Sequence, residues 1–383
     1  MVINPLFLYM ANYISSDGFF LALSLAWFGL LLWVIHRPDT RIIVAQALVL
    51  FIAFTVRYNA LIYPFIAAIA FGMSRLAIRK KIMGIAAGML LCGAFILYTG
   101  NKYKELTGIW QYSPFSGWLL ANNAMFAYRY VDSAERKPVP EKFKVLDNMI
   151  RVYFDTTRDT RIHPEETVKA STFYMWDPNM SLYKYMNLKY SRDSTSDMLK
   201  KWAGMGPLYA DYGRYIIRQY PVRFVRYFLL PNAQKYYAPP VEFLGMYNSG
   251  SDTVSALTKE WFGYRSQKVS PRTKNWKVAI LEFYPILTGV MNVVILCGLL
   301  YFWILNGFRQ KTLFRKGVLL AAVVWLVNAG ATIFSCSVAL RFQAFPILLT
   351  TTFALLLIDW MWRMAKNAEL SSRHSPEVSA AAL

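Results

Sequence analysis

Seven apolar runs, at about 18–35, 41–56, 60–78, 82–98, 278–306, 317–336 and 343–362, dominate this 383-residue chain. Each is long enough, or nearly so, to cross a hydrocarbon layer roughly 30 Å thick as a helix. The expected fold class is therefore all-α, a polytopic transmembrane helical bundle of about seven spans. Only 17% of the residues are charged, below the quarter usual in soluble domains. The second and third runs are separated only by Arg57, Tyr58 and Asn59, a tight turn.

Short basic segments set the expected orientation, because cytoplasmic loops retain Lys and Arg. His36 to Arg41, Arg79 to Lys81, Arg309 to Lys316 and Arg363 to Lys366 all fall on one side when the spans are counted. The Arg57 turn, the 100–276 segment and the Ser337 to Arg341 turn then face outward. The expected organisation is N-terminal transmembrane helices over 1–99, a mostly helical extracytoplasmic domain over 100–276, C-terminal transmembrane helices over 277–366, and a disordered cytoplasmic tail over 367–383. The 100–276 segment is too long for a linker and carries Pro and Gly punctuation between short periodic stretches.

The net charge of +20 raises nucleic-acid binding, but flanking basic residues that anchor spans account for much of it, and no nucleic-acid partner is expected. Cys92, Cys297 and Cys336 lie in apolar runs without metal or disulfide spacing. The first residues lack the basic region of a cleavable signal. No phosphate-binding Gly-rich loop with its Lys, no HExxH and no paired CxxC occurs, which argues against nucleotide hydrolysis and zinc catalysis.

Ionisable groups at span ends are costly and so are functional candidates. On the outer side these are Asp17, Arg57, Glu282 and Arg341. Guanidinium groups match phosphate oxygens and stay charged when partly desolvated, so the set suits a lipid-linked phosphate. Plainer roles stand beside this one. Asp17 after Ser15 and Ser16 has the position of a helix cap, Arg57 and Arg341 that of snorkelling anchors, and Glu282 lies within reach of water. In the stretch Tyr209 to Tyr237, Arg223 and Arg226 share a helical face amid apolar residues. This fits either a helix at the headgroups or one packed on its own domain. His163, with Asp155, Asp159, Glu165 and Glu166, is a loose metal-like cluster that reads more simply as a solvated charged loop.

Three runs, NPLFLYMANYISSDGFFLALSLAWF, FTVRYNALIYPF and SVALRFQAFP, resemble the membrane glycosyltransferases of the GT-C superfamily, the group containing protein O-mannosyltransferases and lipid A aminoarabinose transferases. The resemblance covers the helical part of the chain through short motifs. It implies an undecaprenyl-phosphate sugar donor and a glycan, lipid or protein acceptor on the outer side. It also implies a catalytic role for Asp17 in holding the donor phosphate or a divalent cation, and donor-phosphate binding by Arg57, with Tyr58 beside it, and by Arg341. The YPVRFVRYFLLPN stretch is similar to the extracytoplasmic loop of bacterial members, which implies a bacterial inner membrane with the large loop in the periplasm. The resemblance also implies more spans and an acidic first outer loop that serves as the general base or positions the acceptor. The chain is expected to begin downstream of that loop, as a truncated form inactive by itself, with its base unassigned. The alternative from another class is a non-catalytic binder or translocation partner of lipid-linked saccharides. The polar residues within the spans, Gln46, Asn292 and Asn328, are few and uncharged, which favours the enzyme. An inert remnant is a third reading.

Overall fold

A computed structural model describes residues 4–12, 15–272 and 275–373. The described residues are 76% helical and form no strand, which establishes the all-helical class. Helices of eleven or more residues are α1 (Asp17–His36), α2 (Thr40–Val56), α3 (Tyr63–Met73), α4 (Ile78–Thr107), α5 (Pro114–Tyr128), α6 (Lys144–Thr156), α7 (Met198–Gln219), α8 (Tyr284–Ile304), α9 (Leu313–Ser335) and α10 (Ala344–Arg373).

Five segments are long and apolar enough to cross a membrane: Asp17–His36, Ile78–Thr107, Ala279–Ile304, Leu313–Ser335 and Leu340–Leu370. The other two expected spans coincide with shorter apolar helical segments, Thr40–Val56 and Tyr58–Met73. At 1.5 Å per residue a 17-residue helix reaches about 25 Å, short of a typical hydrocarbon core. The cause of the break is local. Arg57 adopts extended backbone angles, φ −150° and ψ 131°, a 3₁₀ turn follows over Tyr58–Ile62, and Pro64 then starts α3, where its missing N–H costs nothing. The tail expected to be disordered from 367 is helical to Arg373, and 374–383 lie outside the described residues.

The chain divides into two compact units. One comprises Met1–Ile85, Tyr237–Asn328 and Ala339–Leu383; the other Ala86–Tyr236 and Ala329–Val338. Residues 237–276 thus pack with the first unit and 86–99 with the second, a division by contact that differs from the expected division by membrane side.

In the first unit, α1 packs against α2, α3 and α10, and α8 against α10. Trp27 of α1 stacks on Tyr63 of α3, centroids 3.9 Å apart, and the Tyr63 hydroxyl donates to Ser24 Oγ at 2.7 Å, so the buried phenol is satisfied.

The second unit is centred on the crossing of α5 and α7, where small residues let the backbones meet. A Cβ on Gly117 would lie 2.0 Å from the Gly206 carbonyl oxygen, and one on Gly213 would lie 2.6 Å from that of Leu120. Pro207 interrupts α7 and cannot donate to the carbonyl four residues earlier. That carbonyl, of Ala203, accepts from Gln111 Nε2 instead, at 2.9 Å. Farther on, Val225–Leu229 form a π-helical turn before Pro231, the wide turn expected where a proline displaces the ladder. Buried Asn232 then donates to the carbonyls of Ile333 and Cys336 at 2.8 and 2.6 Å and accepts from Val338 N at 2.9 Å. Gly117→Ala is expected to cost about 2–3 kcal/mol by forcing the helices apart. Gly93→Ala, with nothing within 4 Å of the added Cβ, should be neutral or gain up to about 1 kcal/mol. Thermal unfolding of both variants in detergent, followed by circular dichroism, checks the pair; equal midpoints would contradict the close crossing.

Candidate functional site

Asp17, Arg57 and Arg341 reach one place in the first unit from three separate segments. Asp17 opens α1. Arg57 occupies the extended break after α2. Arg341 lies in the 3₁₀ turn Leu340–Gln343 that leads into α10. Asp17 Oδ1 accepts a charge-assisted hydrogen bond from Arg57 Nη1, and Oδ2 accepts from Ser15 Oγ at 2.8 Å. Oδ2 also lies 3.9 Å from Arg341 Nη1. The Asp17 side chain is 6% exposed, those of Arg57 and Arg341 19% and 25%, so the carboxylate is sealed beneath two guanidiniums that retain access. No side-chain cap bond is made at the start of α1, so Asp17 spends its carboxylate on the arginines rather than on capping.

Aromatic faces complete the arrangement. The guanidinium carbon of Arg341 stands 4.4 Å from the Phe342 ring centroid and that of Arg57 5.0 Å from the same ring, both within cation–π range. Phe20, one turn along α1 from Asp17, lies 5.9 Å from Arg57. A small recess of about 20 Å³ is lined by Asp17, Phe20, Arg57, Asn59, Arg341 and Phe342 among others. A lone carboxylate flanked by two guanidiniums is a poor ligand set for a divalent cation. Among the described residues no group of three or more His, Cys, Asp or Glu is placed to hold a metal.

The remaining expected site residues lie apart from this cluster. Tyr58 stands against Phe54, centroids 5.5 Å apart, next in sequence to Arg57 but outside the residues lining the recess. Glu282 pairs with Lys277 at 2.5 Å and lines a different recess. In the second unit Arg223 pairs with Glu135 at 3.2 Å, and Arg226 stands 5.4 Å from the Tyr227 ring centroid. Phe224 and Phe228 are buried in that unit's core while Val222 and Val225 are exposed, so the stretch packs on its own domain through one face.

The loose cluster around His163 resolves into separate ion pairs. Asp155 is held by Arg136 at 2.8 Å, and this partner, with Arg158, keeps its carboxyl below the usual range. Asp159 is likewise held down by Arg161, and Glu165 meets His163 at 3.1 Å. Glu166 departs from the expected solvated loop. It is fully buried, paired with Arg129 at 2.8 Å, and accepts from the hydroxyls of Tyr153 and Tyr174. Burial pushes both phenols up, reinforced by this carboxylate. No local signal marked the pair, whose members are 37 positions apart.

No protein-family model matches the chain, and neither does any curated protein or solved structure. The five apolar helices point to a membrane protein, and the arginine–carboxylate cluster, which includes the starts of Asp17–His36 and Leu340–Leu370, is its candidate functional site.

Proposed function

We propose that the chain is a polytopic membrane glycosyltransferase of GT-C type, transferring a sugar from an undecaprenyl-phosphate donor to a hydroxyl acceptor. In this reading the two shorter apolar helices join the five long ones to give about seven spans. The 100–276 segment then faces the periplasm of a bacterial inner membrane. The observation that carries the proposal is the convergence of Arg57 and Arg341 on buried Asp17, with both guanidiniums partly exposed. A guanidinium presents its N–H donors in a rigid fork that matches phosphate oxygens in bidentate fashion.

In transfer, the acceptor hydroxyl gives its proton to a base as its oxygen bonds to the anomeric carbon of the sugar, and the bond from that carbon to the phosphate oxygen breaks, leaving its electron pair on the phosphate. Arg57 and Arg341 stabilise the negative charge that grows there, the step in which preorganised donors are worth most. Asp17 is a positioning residue: it holds both guanidiniums toward one point.

The test is transfer from radiolabelled undecaprenyl-phosphate sugar in membranes containing the full chain, together with equilibrium binding of undecaprenyl phosphate to the purified protein. Transfer above the level of empty membranes supports the enzyme. Binding without transfer to any glycan, lipid or protein acceptor would replace it with the saccharide-binding reading, and neither binding nor transfer would sink both.

A further inference from the structure

At the opposite end of α1 from Asp17, about 30 Å away along a 20-residue helix, four cations from three segments of the first unit gather around the end of α3. Lys316, near the start of α9, donates from Nζ to the Met73 carbonyl at 2.5 Å, and Lys81 of α4 donates to that of Gly72 at 3.1 Å. Arg75 lies in the link between α3 and α4, and its charge, with those of Lys81 and Arg315, repels that of Lys316. Arg315 Nη1 donates to Phe308 O at 3.2 Å. Its Nε is buried and has no partner among the described residues.

No carboxylate answers this charge. Among the described residues none of the four forms an ion pair; Asp359 is taken by Arg363 at 2.9 Å, and Asp39 is exposed. Capping the last carbonyls of α3 uses one hydrogen bond from each lysine and offsets roughly half a charge, so the greater part of the positive charge remains. Two of the long apolar helices, Asp17–His36 and Leu313–Ser335, meet at this level, where a Cβ on Gly317 would stand 3.9 Å from Leu32 Cδ2. Leu32 lines a recess of about 270 Å³ with Trp33, His36 and Arg37. The Trp33 side chain is exposed, the placement expected of an indole at the headgroup level of a bilayer.

We propose that this junction binds the headgroup of an anionic phospholipid from the adjoining leaflet, a role independent of the transferase reading. Basic pockets between membrane helices suit such headgroups. The phosphodiester supplies the negative charge missing here, Arg315 Nε offers it a donor, and Leu32 and Trp33 give the glycerol and acyl chains an apolar wall. Free inorganic phosphate would meet the same cations but gain nothing from that wall. A merely basic surface would hold anionic lipid wherever a cation stands, at exposed Arg79 as readily as at exposed Arg75. Arg79 is not among the charges that act on Lys316, so the two arginines separate a built site from a diffuse one.

The test is native mass spectrometry of the full chain titrated in neutral detergent with phosphatidylglycerol or phosphatidylcholine, which reads the affinity for each lipid. Phosphatidylglycerol should bind the more tightly. Arg75→Gln is expected to weaken it about 5-fold, the equivalent of about 1 kcal/mol per cation at a membrane surface, and Arg75→Gln/Lys316→Gln about 25-fold. Arg79→Gln should leave it unchanged. Because Lys316 also caps α3, the single Arg75 variant carries the test, with circular dichroism checking that each variant folds. Equal affinity for the two lipids, or equal losses in Arg75→Gln and Arg79→Gln, overturns the proposal. Displacement of phosphatidylglycerol by millimolar inorganic phosphate would assign the cations to a soluble anion and overturn the lipid as occupant.

Discussion

Arg341→Ala should reduce sugar transfer by about 10²–10³-fold, a loss of about 3–4 kcal/mol of transition-state stabilisation. The guanidinium is 25% exposed, 3.9 Å from Asp17 and against Phe342, so in the proposed reading it meets the departing phosphate from an organised position rather than from a mobile chain. Arg341→Lys keeps the charge but not the planar fork, and its loss should be intermediate. Rates at saturating donor, set beside undecaprenyl phosphate affinity, locate the effect. A fall in rate with little change in affinity assigns Arg341 to the transition state. A wild-type rate in Arg341→Ala would remove the cluster from the chemistry altogether.

Glu166→Ala should be the most destabilising change in the second unit. It leaves Arg129, itself 7% exposed, as an uncompensated buried charge, a situation that costs about 3–5 kcal/mol. Two tyrosine hydroxyls, that of buried Tyr174 and that of half-buried Tyr153, lose their acceptor as well. Arg129 keeps its bonds to Thr157 Oγ1 and O, at 3.1 and 2.6 Å, which limit the damage without neutralising the charge. The double variant Arg129→Met/Glu166→Leu should lose less than Glu166→Ala alone, because removing both charges also removes the desolvation penalty. Thermal unfolding and limited proteolysis in detergent measure both. A Glu166→Ala midpoint equal to that of the wild type would refute the buried pair as a determinant of stability.

What the sequence could reveal follows the range over which each signal acts. Apolar run length is a local property, and it located the five long helices and the break at Arg57; the shortening of the next helix to Tyr63–Met73 depended on the 3₁₀ turn over Tyr58–Ile62, which composition does not encode. Asp17, Arg57 and Arg341 were legible because charged groups beside apolar helices are expensive and therefore rare, and the structure brings all three together. Glu282 carried the same signal but is taken by Lys277, five positions away. The burial of Glu166 and the left-handed backbone of Glu242 were invisible in advance. The first depends on Arg129, Tyr153 and Tyr174 arriving from other elements; the second is a backbone angle, φ +50°, that no side-chain pattern in the sequence announces.

The carboxylate shared by two guanidiniums also fixes a count of charge. Arg57, Arg341 and Asp17 sum to a single positive charge, so a singly charged phosphodiester would leave the pocket neutral and a doubly charged monoester would leave it one negative. Asp17 thus serves as a resident counter-ion that spares the arginines mutual repulsion while the recess holds no anion. Binding becomes an exchange of ion-pair partners rather than the filling of a bare dication. Asp17→Asn would raise the count to two, tightening the hold on any anion, inorganic phosphate included, and blunting the preference for the intended one.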